Sequence, residues 1–266
     1  MPNSIGPDSI GPNSIGGDSV DIALIYPELL GTYGDGGNAL VLARRLVRRG
    51  IASRVLNIGI DDPVPTSAAI YLLGGGEDAP QFTALDALRA SGALTTAVDA
   101  GAALLAVCAG YQLVGTTLSG PDDTTIDGLG LLDAATTRAP SRLVGEVAVQ
   151  DEQLDTGWLV GFENHRGVTT PGPGAKPLGT RTPARGCTTD GAVHGHVVGT
   201  YLHGPVLARN PRLADRLLEW VVGPLDPLDD PQADLLHEER CAEVIGSRAR
   251  GGGARTLRRI RKWRRP

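Results

Sequence analysis

Short apolar runs that alternate with amphipathic segments constrain the fold of this chain more than any other feature. Val20–Tyr26, Ala68–Leu73 and Ala102–Val107 are almost wholly apolar, whereas Asn38–Arg49 and Gln81–Ser91 repeat their apolar residues at helical spacing. Runs this short are typical of strands buried on both faces, and helices are the usual connection between parallel strands. The alternation therefore predicts an α/β fold with a mostly parallel sheet and helices on both of its faces.

The second half of the chain is less regular. Strands are predicted at Gly145–Val149, Val160–Glu163 and His196–Leu202, and a helix is predicted at Pro211–Val221. Ligands of parallel sheets bind outside the carboxyl ends of the strands. Residues that directly follow a predicted strand are therefore the first candidates for a functional site.

Both ends of the chain differ in composition from its centre. Residues 1–19 repeat an Asn/Asp-Ser-Ile-Gly unit three times, and the Pro and Gly residues between the units prevent a continuous helix or strand. Residues 251–266 begin with three Gly and continue as a strongly basic tail. We expect a disordered extension, one folded domain over residues 20–250, and a flexible basic tail.

Composition excludes several classes of function. The formal net charge of −5 argues against nucleic-acid binding by the body of the protein. Cys108, Cys187 and Cys241 lie far apart, without the spacing of metal ligands or the density of a disulfide scaffold. No signal peptide opens the chain, and no apolar run approaches the roughly 20 residues that span a bilayer. The sequence predicts a cytoplasmic protein with reduced thiols and no metal site.

The segment around Cys108 carries the strongest sign of chemistry. The apolar run 102–107 leads directly into Cys108, which is followed by Ala109, Gly110 and a helix predicted over Tyr111–Leu118. This order is typical of a nucleophile elbow, a sharp strand-to-helix turn that needs small neighbours. We expect the helix N-terminus to lower the thiol pKa and the Ala109 amide to face a developing oxyanion. The alternative is a buried, inert Cys, the usual fate of a free thiol.

A base for this nucleophile is sought among five histidines. His203 follows the predicted strand His196–Leu202, so it can reach the same sheet edge as Cys108. His194 and His196 alternate with Gly, which favours exposed turn positions over catalytic ones. The sequence therefore predicts a Cys108–His203 pair.

Several motifs together resemble the class I glutamine amidotransferases. They are Gly74-Gly-Gly, Val107-Cys-Ala-Gly-Tyr-Gln, Gly199-Thr-Tyr-Leu-His-Gly and Gly161-Phe-Glu-Asn-His-Arg-Gly-Val-Thr. The last is similar to an element of the cobyric-acid-synthase-like branch. With Tyr33-Gly-Asp-Gly-Gly-Asn and Ser141-Arg-Leu-Val-Gly-Glu in the same order, the chain most resembles GatD-type glutaminase subunits of MurT/GatD complexes. The resemblance implies a flavodoxin-like sheet.

The resemblance also implies a role for individual residues. Cys108 would be the nucleophile and His203 the general base. Gly74, Gly75 and Gly76 would form part of the oxyanion site, together with Ala109. Arg142 would hold the glutamine substrate, a role that suits the planar fork of its guanidinium group.

One position departs from the class I pattern. These enzymes usually carry a Glu two residues after the catalytic His, where it orients the imidazole, but here that position is Pro205. GatD-type subunits share the gap, and the resemblance implies that a partner subunit supplies an Asp. If the chain is instead active alone, a carboxylate of its own must serve, and Glu163 is the first candidate.

The implied function is a glutaminase that hydrolyses L-glutamine and passes ammonia to a partner. The partner would be a MurT-like, Mur-ligase-type subunit that binds ATP and Mg and amidates the D-glutamate of lipid II in peptidoglycan synthesis. No cofactor is expected in this chain, since it lacks a P-loop motif. Two alternatives stay open: a glutaminase for another synthetase, such as a cobyrinate-type amidation, and a non-catalytic scaffold subunit. Residues 255–265 of the tail suggest peripheral contact with the inner membrane face.

Overall fold

A computed structural model describes residues 19–122, 124–184 and 187–246. The predicted basic tail, and all but the last residue of the predicted N-terminal repeat, lie outside this range. The strands are β1 (Val20–Ile25), β2 (Ser53–Ile58), β3 (Ile70–Leu73), β4 (Ala103–Val107), β5 (Thr117–Ser119), β6 (Thr125–Asp127), β7 (Ala134–Asp151), β8 (Trp158–Pro171), β9 (Lys176–Thr182), β10 (Thr189–His194) and β11 (Val197–Thr200). The helices are α1 (Gly37–Val47), α2 (Asp78–Ser91), α3 (Ala93–Asp99), α4 (Ala109–Val114), α5 (Val206–Arg209), α6 (Pro211–Val222) and α7 (Pro231–Gly246).

Five parallel strands form one half of the sheet, in the order β2-β1-β3-β4-β11. Numbered among themselves, they run 2-1-3-4-5, which is the flavodoxin-like order. Their carboxyl ends are in register: Ile25 pairs with Leu73, Leu73 with Ala106, and Val107 with Thr200. The predicted α/β fold is confirmed, and the register brings the loops after β1, β3, β4 and β11 to one edge.

Helices pack on both faces of this parallel half. One group consists of α1, α5 and α6, with α1 against β1 and β2 and α6 against β4. The other group contains α2 and α4, with α4 against β3, β4 and β11. Because β4 is covered by both groups, all five of its residues are buried. This explains why the run Ala103–Val107 is continuously apolar rather than alternating.

The sheet continues beyond β11 as an antiparallel extension. β10, β9 and β7 follow in order, and β7 pairs along most of its length with β8. The strands predicted at Gly145–Val149 and Val160–Glu163 are therefore only the parts nearest the turn of a long hairpin, which we call the β7–β8 arm. Its pairing shifts register between Arg138 and Leu143.

The helix after Cys108 is shorter than predicted. α4 ends at Val114, and Thr117–Ser119 is strand β5 rather than the last turn of a helix. A Cβ on Gly115 would lie 2.5 Å from the carbonyl oxygen of Ala134. The chain turns at Gly115 because this close approach to β7 needs a residue without a side chain, and Thr116 then donates its N–H to Ala134 O (2.8 Å). Over the residues that the structure describes, no helix is long and apolar enough to cross a membrane.

Candidate active site

Four loops meet at the carboxyl edge of the parallel strands. Asp35 lies in the loop after β1, Gly74–Gly76 after β3, Cys108 directly after β4, and His203 after β11. These strands are neighbours in the sheet, so their loops are neighbours in space. The structure thus brings together the predicted nucleophile, base and glycine loop.

Cys108 occupies a strained backbone conformation between β4 and α4. Its φ is +52° and its ψ is −104°, a backbone conformation that residues other than Gly rarely adopt. Its N–H donates to Thr200 O at 2.8 Å, which fixes the turn to β11. A Cβ on Gly110 would lie 2.7 Å from Leu73 Cβ, so only Gly lets α4 start this close to β3. The strand, the strained Cys and the small residues after it form the predicted elbow.

The pKa of the Cys108 thiol is not lowered as we predicted from the sequence. Burial raises it to about 12 and the charge of Asp35 adds to the increase, while the Ala109 amide and Arg142 act in the opposite direction. The following helix has only six residues and does not offset the loss of water around the sulfur. The resting thiol is therefore protonated at neutral pH, so a base must remove its proton during the reaction.

His203 is held from several sides. It is 2% exposed, and its backbone N–H and C=O pair with Phe162 of β8 at 2.9 and 3.1 Å. The Tyr33 ring lies 4.6 Å from the imidazole, centroid to centroid. Within the described part of the chain, the His203 Nε2 atom is buried and has no hydrogen-bond partner. A ring nitrogen left without a partner is available for the proton of a nearby thiol.

A carboxylate for which we predicted no role stands beside this histidine. Asp35 Oδ2 lies 3.2 Å and Oδ1 3.3 Å from His203 Nδ1. The same Oδ2 accepts the N–H of Gly75 at 2.8 Å. A Cβ built on Gly75 would lie 2.6 Å from His203 Cε1, 3.3 Å from Asp35 Oδ2 and 3.5 Å from Cys108 Cβ. Asp35, His203 and Cys108 therefore converge on one glycine.

Glu163, the first carboxylate that we considered for this place, lies in another cluster. Its Oε2 accepts from Arg181 Nη2 at 2.6 Å and lies 3.3 Å from His165 Nε2, and all three side chains are buried. Arg181 and His165 keep the pKa of the Glu163 carboxyl low against the opposing effect of burial. The His165 ring in turn stacks on Tyr201 at 3.6 Å. Glu163 is thus part of a buried ionic cluster formed by side chains of β8 and β9.

A cavity of about 430 Å³ adjoins the thiol. Cys108 and Gly76 line it from the parallel half, and Arg142 and Asn164 line it from the β7–β8 arm. The exposed guanidinium of Arg142 donates to Asn164 Oδ1 at 2.7 Å, and Asn164 Nδ2 donates to the Tyr33 hydroxyl at 2.8 Å. The predicted substrate-binding arginine therefore faces the same space as the predicted nucleophile.

The glycine loop offers its amides unequally. The Gly75 N–H is taken by Asp35, and the Gly74 carbonyl accepts from Gly110 N at 3.1 Å. Gly76 lines the cavity beside Cys108, and the Ala109 amide already hydrogen-bonds the sulfur. Of the four predicted oxyanion residues, Gly76 is thus the one that lines the cavity, and Ala109 is the one whose amide contacts the nucleophile.

Comparison with known proteins agrees with this arrangement. A family model described as the CobB/CobQ-like glutamine amidotransferase domain matches residues 21–211. The chain belongs to this family. The matched range contains the five parallel strands, apart from Val20 at the start of β1, and ends at the first residue of α6.

Two relatives of this amidotransferase share most of their length with it. Both are named lipid II isoglutaminyl synthase (glutamine-hydrolyzing) subunit GatD. The one from Staphylococcus aureus is 35% identical over 72% of this chain and 80% of its own, and the one from Streptococcus pneumoniae 32% identical over 75% and 79%. A cobyric acid synthase from Sphingopyxis alaskensis is 33% identical over 59% of this chain but only 32% of its own.

Solved structures support the fold of this amidotransferase. A crystal structure titled glutamine amidotransferase superposes with a TM-score of 0.52 at 21% identity, over 75% of this chain and 98% of the other. A glutamine amidotransferase from Thermotoga maritima gives 0.50 at 16% identity, over 86% and 94%. At these identities the likeness concerns the fold alone.

Pro205 in this amidotransferase packs against the loop that carries Asp35. A Cβ on Gly37 would lie 2.4 Å from Pro205 Cγ, so the two residues interlock. Two residues after Pro205, the N–H of Leu207 donates to Asn38 Oδ1 at 2.9 Å. Pro205, which replaces the usual class I Glu, thus packs against the segment that follows Asp35.

Proposed function

We propose that this chain is a glutaminase subunit that hydrolyses L-glutamine to glutamate and ammonia at Cys108, with His203 as general base. The observation that carries the proposal is the convergence of the strained Cys108 and the buried His203 at one sheet edge, beside a cavity of about 430 Å³. A nucleophile on an elbow with a base beside it is the arrangement that acyl transfer needs.

The first half of the reaction forms a thioester. His203 Nε2 takes the thiol proton as the Cys108 sulfur attacks the δ-carbonyl carbon of glutamine. The resulting oxyanion is stabilised by the Ala109 and Gly76 amides. The carbon–nitrogen bond then breaks as His203 returns the proton to the leaving nitrogen, so that ammonia departs and a γ-glutamyl thioester remains on Cys108.

The second half restores the enzyme. Water enters the place of ammonia, and His203 accepts one of its protons as the oxygen attacks the thioester carbon. The carbon–sulfur bond breaks, glutamate is released, and the proton passes to the sulfur. Because burial raises the thiol pKa, the resting sulfur is protonated, and His203 must take its proton at the start of each cycle.

Arg142 suits the recognition of the α-carboxylate of glutamine. Its guanidinium is exposed at the cavity wall and is oriented by Asn164. A second exposed face of the fork remains for a carboxylate, which it would bind with two parallel hydrogen bonds. The positive charge of Arg142 also lies close enough to Cys108 to act against the increase in the thiol pKa. A glutamine bound to Arg142 would therefore lie beside the nucleophile.

We further propose that the ammonia goes to a MurT-like, Mur-ligase-type subunit that amidates the D-glutamate of lipid II. Two GatD relatives, matched over about four-fifths of their length, support this acceptor over a cobyrinate-type one, since only about a third of the cobyric acid synthase is matched. ATP and Mg would bind to the partner, which activates the acceptor carboxyl. The complex would act in the cytoplasm, where lipid II is assembled.

A labelling experiment tests this function. The chain is co-purified with its MurT-like ligase and supplied with ATP, lipid II and glutamine labelled with ¹⁵N at the amide. We expect ¹⁵N in the product amide, measured by mass spectrometry. A Cys108→Ala complex should fail with glutamine but recover with ammonium chloride, which separates catalysis from scaffolding. Equal labelling by wild type and Cys108→Ala would refute the glutaminase role.

A further inference from the structure

We propose that Glu77 binds the α-ammonium group of glutamine, so that this side chain and Arg142 together select a free L-amino acid. The inference deepens the proposed glutaminase function and rests on it for the identity of the substrate. The geometric part, that Glu77 and Arg142 line one cavity with opposite charges, stands on the structure by itself.

The charged side chains around the cavity are separated by sign. Two carboxylates line it from the start of α2, and three guanidinium groups line it from the β7–β8 arm. The carboxylates belong to Glu77 and Asp78, and the guanidinium groups to Arg138, Arg142 and Arg166. L-glutamine carries an ammonium and a carboxylate group on one carbon atom, close to the amide that the thiol attacks. A cavity with one acidic and one basic side is complementary to such a zwitterion.

Among the carboxylates in this region, Glu77 is the one available to a ligand. Asp78 Oδ2 pairs with Arg138 Nη2 at 3.3 Å, Asp35 is buried and does not line the cavity, and Glu163 is held in its ionic cluster. The exposed side chain of Glu77 does not cap α2 and forms no ion pair with another residue that the structure describes. An ammonium group can therefore bind Glu77 without breaking an existing ion pair in the described chain.

The backbone of Glu77 is fixed beside Gly76, the glycine that lines the cavity. A Cβ on Gly76 would lie 2.6 Å from the carbonyl oxygen of Leu29, so the loop after β3 packs closely against the loop after β1. On its other side, the Glu77 carbonyl accepts the N–H of Gln81 at 3.0 Å as α2 begins. A fixed backbone thus carries an exposed carboxylate whose side chain can adjust to a substrate.

The charges of Glu77 and Arg142 both reach the Cys108 sulfur. Burial and the charge of Asp35 raise the thiol pKa most, and among the smaller effects Arg142 lowers it and Glu77 raises it. Charges act on one another in this way only over short distances, because solvent and salt screen them. One small molecule attacked at the sulfur can therefore contact both side chains.

Three contacts would determine the hand of the bound amino acid. The amide carbon lies at Cys108, the carboxylate at Arg142 and the ammonium at Glu77. In D-glutamine the ammonium group and the α-hydrogen exchange places, so the ammonium group leaves Glu77. We therefore expect poor hydrolysis of D-glutamine, and also of glutaramate, which is glutamine without its α-amino group. Both differences should depend on Glu77.

Glu77→Gln tests the proposal, because Gln keeps the length of Glu but carries no charge. In the complex with the MurT-like ligase, KM for L-glutamine should rise about tenfold, as expected for the loss of a hydrogen bond between charged groups. The value of kcat should change by less than about threefold, since the reacting groups are untouched. Wild-type kcat/KM for ammonia release should be at least about tenfold higher with L-glutamine than with glutaramate, and the variant should lose most of this preference.

Asp86→Asn is the matched control. Asp86 is also an exposed carboxylate of α2, but it lies outside the cavity, so this variant should keep the wild-type KM and the preference for L-glutamine. Asp78→Asn separates the two carboxylates at the cavity and should keep most of the preference. If Asp78→Asn loses the preference while Glu77→Gln keeps it, Asp78 binds the ammonium group and the proposal is wrong.

Ligand binding supplies a second readout that needs no hydrolysis. Calorimetric titration of the Cys108→Ala complex should show tighter binding of L-glutamine than of glutaramate, and adding Glu77→Gln should remove the difference. Equal binding of the two compounds while Glu77 is intact would overturn the inference. A wild-type complex that hydrolyses no glutamine, together with a binding preference that depends on Glu77, would refute the glutaminase role and leave the ammonium subsite standing.

Discussion

The two halves of the sheet place different kinds of residue at the cavity. The parallel half contributes Cys108, His203 and Asp35 from the loops that follow its strands, and all three are buried. The antiparallel extension contributes Arg142 and Asn164 from the β7–β8 arm, near the point where its register shifts. Arg142 is exposed, and its guanidinium donates to Asn164 on the facing strand.

This difference separates reacting groups from a group that holds the substrate. Buried loops between packed strands cannot shift without loss of packing, so they can keep reacting atoms within a few tenths of an ångström. An exposed side chain on an arm tolerates adjustment and suits a role in binding. We therefore expect changes in the buried loops of the parallel half to lower kcat and changes in the arm to raise KM.

The largest effect should come from Gly75→Ala. The new methyl group would meet His203 Cε1 at 2.6 Å and also crowd Asp35 and Cys108. Displacing a catalytic group by about 1 Å lowers the reaction rate on the order of 10²-fold. Because the methyl group would displace the imidazole, kcat for glutamate release should fall by about that factor. KM should change little, because Arg142 is untouched.

Gly59→Ala is a suitable control for this substitution. Gly59 follows the neighbouring parallel strand β2, and a Cβ there would meet only the side-chain ends of Asp62 and Glu28, at 3.1 and 3.6 Å. These exposed carboxylates can move aside, so kcat should stay at the wild-type value. A Gly75→Ala enzyme with normal kcat would show that the parallel edge tolerates movement, which would remove the basis of the comparison.

A smaller effect is expected for Arg142→Lys in the arm. The point charge remains but the two-pronged grip on a carboxylate is lost, which corresponds to about 1.4 kcal/mol, or a tenfold rise in KM for glutamine. The value of kcat should fall less than KM rises. Steady-state kinetics measure both.

Arg54→Lys provides the comparison for Arg142. Arg54 on β2 is also exposed and binds Asp21 through two hydrogen bonds of 2.7 and 2.6 Å, but it lies outside the cavity. Its replacement should leave KM unchanged. If Arg142→Lys shows an unchanged KM as well, the arm does not hold the substrate through this residue.

The sequence predicted the parallel half far better than the arm. Short, wholly apolar runs such as Ala103–Val107 indicate buried strands because both faces are covered. In the arm, polar residues interrupt the pattern: β7 from Arg138 to Gly145 is largely exposed or half-buried. Helix α7 was missed because only Val244 among its residues is fully buried, so it has little amphipathic signal.

The candidate site was predicted in part for a similar reason. Cys108 and His203 each follow a recognisable strand, and strand ends meet at one edge. Asp35 stands in a Gly-rich loop ten residues after the end of β1, and its contacts come from Gly74, Gly75 and His203, all distant in sequence. The motif Tyr33–Asn38 marked the loop as notable, but only the tertiary structure shows which ring its carboxylate faces.

The smallest effect concerns pH and tests how completely the parallel edge excludes water. Burial raises the pKa of Cys108 from the ordinary 9.0 to about 12. The unfolded chain loses the thiol proton above pH 9, whereas the folded chain keeps it until about pH 12. The unfolded state is therefore favoured increasingly as pH rises, and the contribution of this group to stability is intact below pH 9 and is lost between pH 9 and pH 12.

Cys108→Ser removes this ionisation while keeping the side chain nearly isosteric. The difference between the two proteins therefore isolates Cys108 from buried tyrosines such as Tyr111 and Tyr201, whose pKa values burial also raises. From pH 9 to pH 10 the free energy of unfolding of the wild type should fall by about 1 kcal/mol more than that of the variant, since one proton gives at most about 1.4 kcal/mol per pH unit. Urea unfolding at three or four pH values measures it. If the free energy of unfolding falls equally with pH in the two proteins, water reaches the Cys108 sulfur in the folded chain. The carboxyl edge of the parallel strands would then be as accessible to water as the β7–β8 arm.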